Sequence, residues 1–508
     1  MSTGTRPSAR PRPVSAGRRG PESLSALLTH RAELEPERPA ILSGREKLTF
    51  GSWHERADAV AAGLSTRGVG AGDRVALLYG NGDWIDYATA YLGVHRAGAV
   101  AVPMSDRLAP AEVRRLLGHS GAAAVLHRAE LTPPDAGTGA WAAPVEDIET
   151  YPGSELPPPA AGDLAQILYT SGTTGTPKGV AATHANLAHG CTLDARRRPL
   201  GHSAHFLHAF PVGTNAGQTM LINALDAKAT AIAAPRFTPG HFARLIERHA
   251  VGSVFVVPAM AIELLGTEQV RRCDLSGVRL LGSTAAALPQ SVALGLSRLF
   301  PQAQIVNYYT STEAAPAQTT MLFDPEHPDS PGRPASLRDL RVTDDAGRVL
   351  PVGETGEVWL RSPTTPRSYY GEEPDTAVFS GRWVRMGDLG RLDADGFLYL
   401  VDRERDVIKS GAYKVSTLQV ENALHEHPAV VDAAAFGVPH PVLGMTVAAA
   451  VVPTGNLTAT ELRVFLMERL AAHELPGHVL FRESLPRNEG GKILKRELRR
   501  LLDDEVRP

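Results

Sequence analysis

Short apolar runs alternate with longer stretches of helical spacing along most of the chain. "RVALLYG" (Arg74 to Gly80) has the texture of a buried strand, and "WIDYATAYLGVHRAG" (Trp84 to Gly98) that of a helix stopped by a glycine. "AVAVP" (Ala99 to Pro103) and "AAAVLH" (Ala122 to His127) read as the next two strands. This β–α–β rhythm predicts a mostly parallel sheet covered by helices. The Pro-, Gly- and Ala-rich segment from Leu131 to Asp163 reads as a surface excursion. "SVFVVP" (Ser253 to Pro258) and "LRVTDDAGRVLPVGETGEVWLRSP" (Leu340 to Pro363) predict more strands, the latter antiparallel around its Gly-containing turns.

Near Asp402 the texture changes to a dense charged run, "VDRERDVIKSGAYKV". Beyond it the strand–helix alternation repeats on a smaller scale. "AVVDAAAFGVP" and "TVAAAVVP" read as strands, and "TATELRVFLMERLAAH" as a helix capped by a threonine. His425 and His427 in "HEHP" read as a helix end rather than a metal pair. The pattern predicts an α/β protein in two parts, split close to Arg405. Residues 21–404 form a large domain of mostly parallel sheets and helices with a β-subdomain, and residues 405–508 a small α+β domain.

Composition narrows the function classes. A chain of 508 residues needs more than one core, and 43% hydrophobic with 21% charged residues is ordinary for a globular protein. A formal charge of −3 argues against a general nucleic-acid or membrane-surface binder. The two cysteines, Cys191 and Cys273, are far apart; they fit a reducing, cytoplasmic setting and exclude a disulfide framework or a cysteine zinc site. No apolar run approaches the roughly 18 residues that span a bilayer. The first twenty residues, Arg- and Pro-rich without an apolar core, read as a disordered basic tail and not a secretory signal.

The stretch with most chemistry is "ILYTSGTTGTPKGV" (Ile167 to Val180), with four Thr and two Gly between an apolar strand and Lys178 and a third Gly just after it. Such a turn offers backbone N–H groups and hydroxyls with few Cβ atoms in the way, which is what polyphosphate oxygens require. Its spacing is not that of a P-loop. Taken alone, it also reads as a flexible surface turn.

The full string resembles the phosphate loop of the adenylate-forming superfamily, which includes acyl-CoA synthetases, and further matches follow in order. "NYYTSTE" (Asn307 to Glu313), "VRMGDLG" (Val384 to Gly390), "DRERDVIKSGAYKV" and "LPRNEGGKILKREL" are similar to that superfamily's remaining motifs. The resemblance implies ATP, Mg²⁺ and coenzyme A as cofactors and a carboxylic acid as substrate. It implies a phosphate clamp of Thr170, Ser171, Gly172, Thr173, Thr174, Gly175 and Lys178. Thr312 would hold a phosphate oxygen and Glu313 the metal, Tyr309 would lie on the adenine, and Asp388 and Arg403 would hold the ribose. Lys492 would bridge carboxylate and phosphate during adenylation. The small domain would then turn about Arg405, bringing Lys409 and Gly411 to the site for thioester formation.

The acyl pocket implied by the resemblance is lined by Thr214, Gly282, Ser283, Ala285, Ala286 and Thr310. Pro211 follows Phe210 where amino-acid-activating members carry an Asp, so a free α-amino acid would leave its ammonium unpaired. Four positions depart from the common pattern: Thr214 for a His, Thr310 for a Gly, Met386 for a Thr and Ala412 for a Gly. They keep two alternatives open beside an acyl-CoA ligase. One is an enzyme for a single half-reaction, either thioester formation from a supplied adenylate or adenylation for a carrier protein. The other is a weakly catalytic nucleotide- or acyl-CoA-binding protein. The sequence leaves the oligomeric state open and offers no nucleic-acid partner or stable membrane insertion.

Overall fold

A computed structural model describes residues 20–506 apart from 136–138, 152–155, 171–177, 328–329, 331–332, 335, 374, 404–405 and 412. The expected disordered tail therefore lies outside the described residues, with the exception of Gly20. Among the described residues the strands form four sheets. Two are α/β sheets with parallel centres. In one, strands 205–208, 230–233, 253–256, 280–283 and 304–309 run parallel, with antiparallel edges. In the other, strands 74–79, 100–105, 124–127 and 164–170 form the parallel part. A third, antiparallel sheet joins 340–343, 356–361, 383–392 and 398–403. The fourth contains 408–410, 413–415, 430–440, 444–453 and 478–481. The chain passes from the third sheet to the fourth between Arg403 and Ile408.

The elements follow from local sequence. Strand Arg74–Tyr79 is apolar on both faces because helices cover both sides of its sheet. Helix Trp84–Arg96 is buried along nearly its whole length, consistent with its aromatic-rich sequence. The Leu131–Asp163 segment is not wholly an excursion, because Trp141–Pro144 adds a parallel edge strand beside Ala124–His127. Four residues, mostly Ala and Pro, carry no alternation of their own, and the neighbouring edge supplies the partner. The helix expected from Thr458 to His473 has its threonine cap, with Thr458 accepting from the Glu461 N–H, but ends at Met467. Among the described residues no helix is long and apolar enough to cross a membrane.

One buried feature couples this architecture to pH. His95, His184 and His208 are shut away from solvent in the core of the large domain. The rings of Tyr91 and His95 lie 4.4 Å apart and those of His95 and His184 4.9 Å, while His208 meets Trp84 edge-on at 4.8 Å. Loss of hydration disfavours the imidazolium, pushing His184 down to about 4 and His208 to about 3, and taking His95 well below its ordinary 6.5. The folded state therefore refuses protons that the unfolded chain accepts below about pH 6.5. This stabilising contribution is complete above that value and is lost as pH falls toward the folded-state values. Urea unfolding between pH 7.5 and 5 should show these contributions level down to about pH 6.5 and, below it, stability dropping by about 1.4 kcal/mol per pH unit for each such histidine. His208→Phe should flatten the slope, and a slope unchanged by that substitution would contradict the assignment.

Candidate active site

The carboxyl ends of the parallel strands gather at the boundary with the small domain, the usual place for a site in an open α/β sheet. Strand Gln304–Tyr309 delivers Tyr309, whose hydroxyl donates to Asp388 Oδ2 at 2.7 Å. Asp388 comes from strand Trp383–Leu392 of the third sheet, directly after Gly387. Gly387 has φ +70°, a left-handed conformation that glycine adopts without strain. Backbone pairing sets Asp388 opposite Arg403 on the neighbouring strand.

Beyond Tyr309 the chain leaves the strand. Thr310 Oγ1 donates to the Ala317 carbonyl at 2.7 Å, and Ser311 Oγ accepts from the Ala314 N–H. This turn exposes Thr312 and Glu313 to Arg367, a buried guanidinium whose Nη1 donates to the Thr312 carbonyl at 3.0 Å. Burial lowers Arg367 to about 10, while Tyr91 and Glu313 act the other way, so it stays charged at neutral pH. Tyr369 donates to Glu313 Oε1 at 3.3 Å, and its ring carries the Lys178 ammonium 4.2 Å from the centroid. Lys178 also lies 3.3 Å from Glu372. Thr170 and Lys178 face each other on paired strands and flank the loop. Ser171, Gly172, Thr173, Thr174 and Gly175 lie outside the described residues.

The small domain contributes a tight turn. Asn488 Oδ1 accepts from the Lys492 N–H at 2.9 Å, the Asn488 N–H donates to the Lys492 carbonyl at 2.9 Å, and Arg487 Nη1 donates to the Gly491 carbonyl at 2.6 Å. Gly491 has φ +81°, and a Cβ there would stand 2.9 Å from Val257 at the end of strand Ser253–Val256. The turn thus lies against the large domain, and Lys492 lines the same cavity of about 680 Å³ as Tyr309, Thr310 and Asp388. Lys409 and Gly411 belong to an exposed hairpin of the fourth sheet, where the Gly411 N–H donates to the Leu443 carbonyl. They do not line that cavity. Arg405 and Ala412 lie outside the described residues, as does the Arg403 side chain.

The acyl-pocket residues separate in the same way. Ala285, Ala286 and Thr310 line the cavity. Gly282 is a buried strand residue, where a Cβ would stand 2.5 Å from the Tyr308 ring and 2.8 Å from Phe255. Ser283 is fully buried, its hydroxyl without a hydrogen-bond partner among the described residues. Thr214 caps helix Asn215–Asp226, donating to the Pro211 carbonyl and accepting from the Gly217 N–H. Its hydroxyl is committed to the backbone, and its methyl faces Gly490 of the lysine turn. Sequence reasoning passed over Arg367 and Tyr369 in "TTPRSYYG". A lone Arg in a Pro- and Thr-rich stretch looks like a surface residue, and only the fold reveals its burial. The aromatic pair after it was the available signal.

Residues 28–370 match the AMP-binding enzyme family, and residues 419–492 match its C-terminal domain. A feruloyl-CoA synthase from an Amycolatopsis species is 33% identical over 497 residues, covering 94% of this chain and 99% of the relative. A 2-succinylbenzoate–CoA ligase from Bacillus cytotoxicus is 30% identical, covering 95% of this chain and 100% of the relative. The structure of o-succinylbenzoate CoA synthetase from Bacillus subtilis with its acyl-adenylate intermediate superposes with a TM-score of 0.81 at 28% identity, covering 93% of this chain and 97% of that one. Matched along nearly its whole described length, the chain belongs to the AMP-binding enzymes of the adenylate-forming superfamily, on the acyl- and aryl-CoA ligase side.

Proposed function

We propose that this protein is an ATP-dependent acyl-CoA ligase for a carboxylic acid that is not an amino acid, with residues 21–404 forming the adenylating domain and 405–508 a mobile lid. The acid's oxygen attacks the α-phosphate of ATP, forming an acyl adenylate and releasing pyrophosphate. The thiol of coenzyme A then takes the acyl group and AMP leaves. Family membership and the named relatives support both steps. The observation that carries the reading is the entry of Lys492 into the cavity that holds Tyr309 and Asp388.

In this reading Lys492 offsets the charge repulsion between carboxylate and phosphate, which positioning and electrostatics must overcome. Asp388 accepts from the ribose, Tyr309 lies on the adenine, and Arg403 stands on the adjoining strand. Glu313 fits Mg²⁺ because a carboxylate beside phosphates is the common way of holding that ion. Mg²⁺ would supply charge neutralisation on the phosphates. Arg367 fixes the backbone that presents Thr312 and Glu313. The apolar wall of Ala285, Ala286 and Ala287, together with the relatives named for feruloyl-CoA and 2-succinylbenzoate, favours an aromatic acid. Coenzyme A is the proposed acceptor, and a carrier protein is an outcome of the test.

Pyrophosphate exchange and acyl-CoA formation, measured separately over ferulic, benzoic, 2-succinylbenzoic, fatty and terpenoid acids, should both respond to the same acid. Exchange without thioester would point to a carrier-protein acceptor. Thioester from synthetic acyl adenylate, with none from ATP plus acid, would refute the full reaction. Lys492→Ala should lower exchange by about a hundredfold or more while largely sparing thioester formation from supplied adenylate. Tyr309→Phe, which removes the bond to Asp388, should weaken ATP binding about tenfold by calorimetry. Tyr309→Ala should weaken it further, as base–aromatic stacking contributes about 1–3 kcal/mol.

A further inference from the structure

Glu489 occupies the tip of the lysine turn, between Asn488 and the paired glycines Gly490 and Gly491. Its Oε1 accepts a hydrogen bond from Ser105 Oγ at 2.6 Å, a contact made across 384 residues of chain. Ser105 ends strand Val100–Ser105 of the large domain, is itself buried, and accepts at the same hydroxyl from the Arg107 N–H at 3.2 Å. Burial raises the Glu489 carboxyl above its ordinary range, opposed by the Ser105 bond and by Arg107, while Asp106 and Glu112 add to the rise. Glu489 does not line the cavity, so the nucleotide site makes no evident use of it.

A partly desolvated carboxylate facing two other acids is unfavourable unless its partner offsets the loss of water. Here that partner belongs to the other domain. The turn is stiff: its backbone closes on itself between Asn488 and Lys492, and Arg487 Nη2 ties its base to Asp432 at 2.6 Å. Whatever fixes the tip therefore fixes Lys492 three residues later.

We propose that Ser105 and Glu489 form a latch between the two domains that holds Lys492 in the adenylating position, making Glu489 a positioning residue for that lysine. The inference rests on the ligase reading above. Because the latch exists only while the turn is docked, it acts on the first half-reaction. It must open before the lid can turn to present Lys409 and Gly411, so it also sets how readily the enzyme moves to the second.

The test compares Glu489→Ala, Ser105→Ala and the double variant with the wild type. Pyrophosphate exchange is measured with ATP and the panel acid that gives the fastest wild-type exchange, and thioester formation with that acid's synthetic adenylate. Each single variant should lower exchange about tenfold, as expected for loss of a hydrogen bond to a charged group. The double variant should be no worse than either single one, because both remove one contact. Thioester formation should be unchanged or faster. Glu489→Gln, which keeps an acceptor oxygen, should retain exchange within about threefold of the wild type. Wild-type exchange in Glu489→Ala, a parallel fall in both half-reactions, or effects that multiply in the double variant would overturn the latch. Absence of exchange in the wild type would instead count against the ligase reading. Small-angle scattering of the unliganded proteins reads the latch without any acid: the wild-type curve should match the docked arrangement and the Glu489→Ala curve should depart from it. Identical curves would overturn the proposal.

Discussion

A carboxylate and a triphosphate repel each other, and a site that joins them must bring positive charge between them without keeping it there afterwards. In the proposed reaction that constraint would divide the labour among the cations of this structure. Arg367 is buried and fixed, and it acts on the backbone of Thr312 and Glu313. Lys178 stands at the edge of the Gly- and Thr-rich segment, over the Tyr369 ring and near Glu372. Lys492 is carried by the small domain on a turn stiffened by its own hydrogen bonds. A cation on a movable, internally rigid carrier can be delivered accurately and removed completely. A cation built into the large domain could do only the first.

The same division explains what the sequence made legible. Strands such as Arg74–Tyr79 and Ser253–Val256 announce themselves because burial on both faces demands continuous apolar runs. The motifs around Tyr309, Asp388 and Lys492 were readable because each stands in a short run of residue types that resembles the superfamily's. Arg367, Ser105 and Glu489 were not, since each matters through a partner far away in the chain. Glu489 and Ser105 are 384 residues apart, and no local pattern of spacing encodes such a pair. The edge strand Trp141–Pro144 escaped notice for a related reason: its partner strand, rather than its own composition, makes it a strand.

The departures from the superfamily pattern also look different in three dimensions. Thr310, bulkier than the glycine it replaces, has its hydroxyl bonded to the Ala317 carbonyl and so adds a fixed wall to the cavity. Thr214 spends its hydroxyl on a helix cap and offers a methyl to the lysine turn. Met386, partly buried, packs against the apolar cluster that contains Tyr309. Of the three, only Thr310 lines the cavity, so it is the departure that bears directly on the cavity's shape.

Rotation of the lid would have to undo more than the contact at the tip. Asp402, at the end of the third sheet, is buried and accepts from both the Thr417 N–H and, at 3.1 Å, the Thr417 hydroxyl at the start of helix Thr417–His425. Lys495 donates to the same Thr417 hydroxyl at 3.0 Å and lies 2.9 Å from Glu421. Asp402 lies before the proposed pivot at Arg405 and Thr417 after it, so turning about that residue strains or breaks the cap. The docked arrangement is thus held by two contacts that bridge the proposed pivot, Asp402 with Thr417 and Ser105 with Glu489. In the proposed reaction both contacts must give way before the lid can turn, and the one made by Glu489 acts on the turn that carries Lys492.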